Sequence, residues 1–318
     1  MSYSGPEFEP PQPSRRSPLR RPLTVALAAL VPGALLGWIV YAAVGGPDGS
    51  ATAAASPAAS SPSPWSAPPP STSAGKDGAN GKGTTPAPTG SGTGPLAGKV
   101  VVIDPGHNTG NARHTAEINR KVDIGNSRKE CDTTGTSTNA GYAEARFTLD
   151  VAHRLRTLLE AQGATVKLTH DGDSPSWGPC IDERAHIGNT AHADAAISIH
   201  ADGAAQGDRG FHVILPGAVH AGGADTRPIV AASKSLGERV AGNFLRATGE
   251  QPSNYVGDGT GLVTREDLGG LNLSTVPKVF IECGNMRDSK DAALLTSGAW
   301  RQKAAQGISE GIVSFLHG

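Results

Sequence analysis

From residue 99 to the end, the sequence predicts a single α/β domain: a mainly parallel central sheet flanked by helices. Three observations carry this. Short apolar runs alternate with longer stretches whose apolar residues recur at helical spacing. The short runs are continuously apolar rather than alternating, as strands covered on both faces must be. The 220 residues left after the first 98 suit one domain with a substantial core. Val100–Asp104, closed by Pro105-Gly106, reads as the first buried strand. Ala143–Gln162 carries Phe147, Val151, Leu155, Leu158 and Leu159 on one helical face and stops at Gly163. Strand Thr165–Thr169, helix Ile181–His192 and strands Ala195–His200 and Phe211–Leu215 follow. Helix Ile229–Thr248, strand Lys278–Glu282 and helix Trp300–Leu316 complete the series. A long polar insert, 111–142, separates the first strand from the first helix. Its Gly, Thr, Ser and Asn content reads as a loop or hairpin.

The first 98 residues belong to another regime. Residues 1–22 are polar and Pro-rich, with Arg15, Arg16, Arg20 and Arg21 towards their end. Residues 23–44 then run without a charge, which reads as a transmembrane anchor or a signal segment. The basic flank stays in the cytoplasm, so everything downstream is expected to be extracytoplasmic, membrane-anchored or secreted. From Gly46 to Gly98, 46 of 53 residues are Gly, Ala, Ser, Thr or Pro. Residues 45–98 therefore bury too little to offset their ordering entropy and read as a disordered linker. Residues 99–318 are expected to form the one folded domain. Of 28 basic and 29 acidic residues, the first 98 hold six and four, so the domain carries 22 and 25. That balance excludes the basic surface of a nucleic-acid binder. The domain is expected to act as a monomer.

Three strands end in a ligand or base type: His107 after VVIDPG, His200 in AISIH and Glu282 in VFIE. Glu144 opens the long helix. In parallel sheets ligands sit beyond the strands' carboxyl ends, so neighbouring strands would gather these side chains at one rim. Two histidines, a carboxylate and a water form the usual set of a catalytic zinc, and a further carboxylate supplies a general base. Glu117 and Glu130, inside the insert, are alternative carboxylates to Glu144.

The series VVIDPGHN, AEARFTLDVAHRL, ADAAISIHADG and PKVFIECGNMRD resembles the zinc-dependent N-acetylmuramoyl-L-alanine amidases of the Amidase_3 type. It covers about 99–317 in the family's order and is most similar to the actinobacterial branch without an appended wall-binding module. The resemblance implies zinc held by His107, Glu144 and His200, with Glu282 as the catalytic carboxylate. The implied partner is peptidoglycan and its muropeptides, and the implied reaction is hydrolysis of the amide joining the lactyl group to L-alanine. Asp104 is a candidate acceptor orienting His107, or a turn cap. Three departures stand out. Glu144 lies 37 positions after His107, because the insert is long; it either helps select substrate or is a surface excursion. His170 stands where the family often has arginine, and no role is assigned to it. Arg184, in CIDERAHIGN, matches a family arginine of structural character. The other histidines, His212 among them, lack ligand spacing and read as ordinary.

The three cysteines have no CxxC spacing, which excludes a cysteine zinc knuckle. An exported domain permits a disulfide, and Cys131 with Cys180 is the natural pair. Cys283 follows Glu282 on a strand and points to the opposite face. Two rival functions remain: another zinc peptidase cutting peptide bonds, and a catalytically silent wall-binding or divisome protein. A binding module has no need of Glu282, which argues against the second.

Overall fold

Strand β1 (Val100–Asp104) forms where three consecutive valines and an isoleucine fit a pleat buried on both sides. The computed structural model to which it belongs describes residues 94–172 and 174–318. The basic tail, the uncharged run at 23–44 and the linker up to residue 93 lie outside the described residues. Among the described residues no helix is long and apolar enough to cross a membrane. The insert follows β1 and holds a one-turn helix, α1 (Thr115–Ile118), and an antiparallel hairpin, β2 (Lys121–Asp123) with β3 (Arg128–Glu130). Helix α2 (Glu144–Ala161) buries Phe147, Val151, Leu155 and Leu159, four residues apart and so on one face. Next come β4 (Thr165–Leu168), α3 (Ile181–Thr190), β5 (Ala195–Asp202) and β6 (His212–Pro216). A small hairpin, β7 (His220–Ala221) with β8 (Ala224–Asp225), precedes α4 (Val230–Thr248). The chain ends with β9 (Leu262–Arg265), α5 (Gly269–Asn272), β10 (Lys278–Asn285), α6 (Ser289–Leu295) and α7 (Gly298–His317).

The main sheet has the order β4-β1-β5-β10-β6-β9. The first four strands are parallel to one another; β6 runs antiparallel to β10, and β9 parallel to β6. The sheet is thus mainly parallel, as the alternating pattern predicts. Strand β9 is absent from the sequence reading because it is a partly exposed edge with no apolar run.

Strand parity sorts the two faces. Val101, Ile103, Ile197, Ile199, Val213, Leu215, Val279 and Ile281 pack beneath α2, α4 and α7 in one cluster, where Cys283 is a buried free thiol. Helices α4 and α7 touch closely: a Cβ on Gly311 would fall 2.6 Å from the Val240 Cα, so only glycine fits there. The opposite face is covered more thinly, by Val102, Ala193, Ala196 and Val276. On that face the buried polar residues Asp104, Ser198 and Lys278 alternate with the apolar core. This is where the site begins.

Cys131 and Cys180 form the expected disulfide, which ties the end of the insert to the start of α3. They also join Val122 and Ile124 in the insert's own apolar cluster. With the two cysteines 49 positions apart, the chain-entropy account gives about 4 kcal/mol of stabilisation. Urea unfolding with and without reductant is expected to differ by roughly that amount; coincident curves would mean that the insert is held by packing alone.

Candidate metal centre

Three adjacent parallel strands, β1, β5 and β10, bring their carboxyl ends to one edge. The register sets Glu282 directly opposite His200, and parity puts both on the face of Asp104 and Ser198. His107 lies just past β1, beyond a turn that requires Gly106: its φ is +65°, and a Cβ there would meet Ile199 O at 2.5 Å. Glu144, the first residue of α2, reaches the same point. Its Oε1 is 3.0 Å from His200 Nδ1, and its Oε2 is 3.7 Å from His107 Nε2. One donor atom from each of His107, Glu144 and His200 lies within 4.8 Å of the others. Glu117 and Glu130 are not part of this group; they pair with His114 and Lys121 on the insert.

The surroundings fix which nitrogen points inward. His107 Nδ1 donates to Asp132 Oδ1 and Thr133 O, both at 3.1 Å, leaving Nε2 towards Glu144. Ser198 Oγ donates its only proton to Asp104 Oδ2 at 2.7 Å. At His200 Nε2, 3.1 Å away, that oxygen can only accept, which leaves Nδ1 as the free lone pair. The His200 ring is further held by stacking on Phe280, 5.4 Å between centroids and 8° between planes. Glu144 accepts from the Thr136 and Ala201 amides at 2.9 and 3.2 Å. Gly135 leaves room for the group: a Cβ there would fall 2.6 Å from the His107 ring and 2.7 Å from Glu144 Oε2. Burial lowers the His107 pKa, but Glu144 and Asp132 outweigh it and raise it to about 9. The site therefore attracts positive charge. Two imidazoles and a carboxylate converging in this way fit zinc.

A family model described as N-acetylmuramoyl-L-alanine amidase, Amidase_3, matches residues 101–314. The chain belongs to the Amidase_3 family. It is 40% identical over 222 residues to the N-acetylmuramoyl-L-alanine amidase Rv3717 of Mycobacterium tuberculosis, a match covering 70% of this chain and 88% of that protein. Its fold is similar to the crystal structure of the N-acetylmuramyl-L-alanine amidase Ami1 from Mycobacterium smegmatis (TM-score 0.64, 38% identity, 70% of this chain and 98% of that one). It is likewise similar to the apo form of Ami1 from Mycobacterium abscessus (TM-score 0.61, 41% identity, 70% and 100%).

In this Amidase_3 domain Glu282 lines a cavity of about 280 Å³ together with His107 and His200. Its Oε2 is enclosed and has no hydrogen-bond partner. Loss of water around the carboxyl, then the Glu144 and Asp202 carboxylates, push its pKa well above the usual range, against a smaller pull from Arg265. The cavity runs between the insert (Lys129, Thr133) and the segment after β9 (Asp267, Leu268), and Lys129 pairs with Asp267 at 3.3 Å. The insert is thus a wall of the Amidase_3 cleft.

Asp104 departs from its expected role, because it does not touch His107. At the end of β1 its side chain accepts from Arg184 on α3, from Thr169 just past β4 and from Ser198 on β5. The acceptor on His107 is Asp132, from the insert, a residue the sequence reading passed over. Ser198 was legible: it stands two residues before His200, on the same strand face. His170, given no role, bonds Gly106 O through Nε2 at 2.9 Å. His212, read as ordinary, lies opposite Glu282 on β6, buried and with Nδ1 unpartnered.

Proposed function

We propose that the domain hydrolyses the amide between the lactyl group of N-acetylmuramic acid and L-alanine of the peptidoglycan stem peptide. His107, Glu144 and His200 hold zinc, and Glu282 is the general base. One observation carries the reading: three inward-facing donor atoms lie within 4.8 Å of one another, and two of their residues, His107 and His200, line a cleft with Glu282, whose Oε2 is enclosed and unpartnered. Bound zinc supplies Lewis acidity and brings the pKa of water towards about 7. A bound cation would favour the ionised form of Glu282 against the burial that raises its pKa, and Oε2, free of competing hydrogen bonds, accepts a proton as a water oxygen bonds to the carbonyl carbon. It returns that proton to the alanine nitrogen as the carbon–nitrogen bond breaks, giving a free amine and a carboxylic acid, which then releases its proton to solvent. Asp132 and Ser198 hold the histidine rings while this happens.

The uncharged run at 23–44 and the small-residue stretch to residue 98 support an extracytoplasmic domain, tethered or released. Mass spectrometry of peptidoglycan digested by the zinc-loaded full chain tests the reaction. Intact stem peptides with a free L-alanine amino group are the expected product. Cuts within the stem would identify a peptidase instead, and an unchanged digest would mean a silent binding protein.

A further inference from the structure

Arg184 sits one turn into α3 with its side chain only 4% exposed. Its guanidinium donates to Asp104 Oδ1 at 2.5 Å and to Asp132 Oδ2 at 2.6 Å. Its Nε donates to Pro179 O at 2.7 Å, and the group also bonds Gly106 O, in the residue before His107. Each carboxylate has a second oxygen, and each second oxygen leads to a histidine. Asp132 Oδ1 takes His107 Nδ1 at 3.1 Å. Asp104 Oδ2 takes the Ser198 hydroxyl at 2.7 Å, and that hydroxyl takes His200 Nε2 at 3.1 Å. The outer nitrogens of both rings are thereby joined through one planar cation.

We propose that Arg184 is a positioning residue for both histidines of the zinc site, acting through Asp132 on His107 and through Asp104 and Ser198 on His200. The zinc half of this inference rests on the proposed function; the positioning half does not. A planar fork suits the task. It holds one oxygen of each carboxylate on a separate nitrogen at a fixed angle, which a lysine ammonium cannot do. Burying an arginine between two aspartates is also a poor route to stability alone, since apolar packing of equal volume does as well or better. With one oxygen of each on Arg184, Asp132 turns its other to the His107 ring N–H and Asp104 its other to the Ser198 hydroxyl. Lys278, buried near Asp104, adds charge on one side only and bonds neither ring.

The test uses the full chain with Arg184→Lys, Ser198→Ala and Asp132→Asn. Two quantities are read: zinc affinity by chelator competition, and the slowly exchanging His107 and His200 ring N–H proton resonances of the metal-free protein. Loss of an outer hydrogen bond typically weakens metal binding about 10–100-fold. Ser198→Ala is expected to lose affinity in that range and to move only the His200 resonance. Asp132→Asn is expected to do the same through His107. Arg184→Lys is expected to move both resonances, and adding Ser198→Ala to it is expected to cost less than Ser198→Ala alone. A folded Arg184→Lys chain with parental zinc affinity and both resonances unmoved would overturn the proposal. If Arg184→Lys does not fold, an unmoved His200 resonance in Ser198→Ala overturns it equally. If the parent chain binds no zinc, the zinc reading fails and the resonances alone decide the positioning role.

Discussion

Replacing His200 with alanine is expected to empty the site of zinc and reduce turnover to background. Three protein donors are the minimum for a catalytic zinc with an open position, and this change leaves His107 and Glu144. It also strips Glu144 Oε1 of its 3.0 Å partner and Phe280 of the ring stacked on it, so the two remaining donors lose their alignment. His107→Ala is expected to match it, since Nε2 is that ring's only inward nitrogen. Elemental analysis after dialysis, run beside muropeptide digestion, gives both readouts. Stoichiometric zinc in both variants would remove these residues from the site.

Glu282→Gln is expected to separate metal binding from chemistry. The amide has the volume of the carboxyl and is not one of the three donors, so zinc stays. Proton transfer is lost, and general acid–base groups contribute about 10²–10⁴-fold, so kcat is expected to fall by that range or more. Stability moves the other way. A carboxyl whose folded pKa is raised stabilises the fold only while protonated, and that contribution is lost as pH rises through the folded pKa. Glutamine never ionises and carries no such loss. The metal-free variant is therefore expected to melt above the metal-free parent at neutral pH. Near-normal turnover in Glu282→Gln would end its role as base.

Much of this was legible in the chain because the sheet is buried on both faces. Runs such as VVVID and AAISIHAD have few readings besides a covered strand, and adjacent parallel strands must end at one edge. The donors were visible for that reason: His200 sits inside its strand, His107 just past β1, and Glu144 at a helix start. What escaped was contact between segments remote in sequence. Asp104 stands close to His107 in the chain and reads as its acceptor or as a turn cap, yet β1 parity turns it towards Arg184. The true partner, Asp132, lies 25 residues from His107 in a stretch with no periodic pattern, and only tertiary packing brings them together. Strand β9 escaped because a half-exposed edge lacks the apolar run that marks the inner strands.

The Cys131–Cys180 bridge alters how far parts of the site must travel to meet. Asp132 directly follows one cysteine, and Arg184 stands four residues after the other. Along the backbone the pair is 52 residues apart, but through the sulfurs it is a short tether. Closure entropy grows with the logarithm of loop length, so an oxidised unfolded chain re-forms that pair at about 2 kcal/mol less cost. Ser198 and Asp104, 94 residues apart, gain less: the bridge halves the loop between them, which is worth about 0.6 kcal/mol. The bridge therefore makes assembly lopsided: the His107 buttress remains a covalent neighbour of Arg184 even in a denatured molecule, while the His200 arm must be found anew by diffusion each time the sheet re-forms.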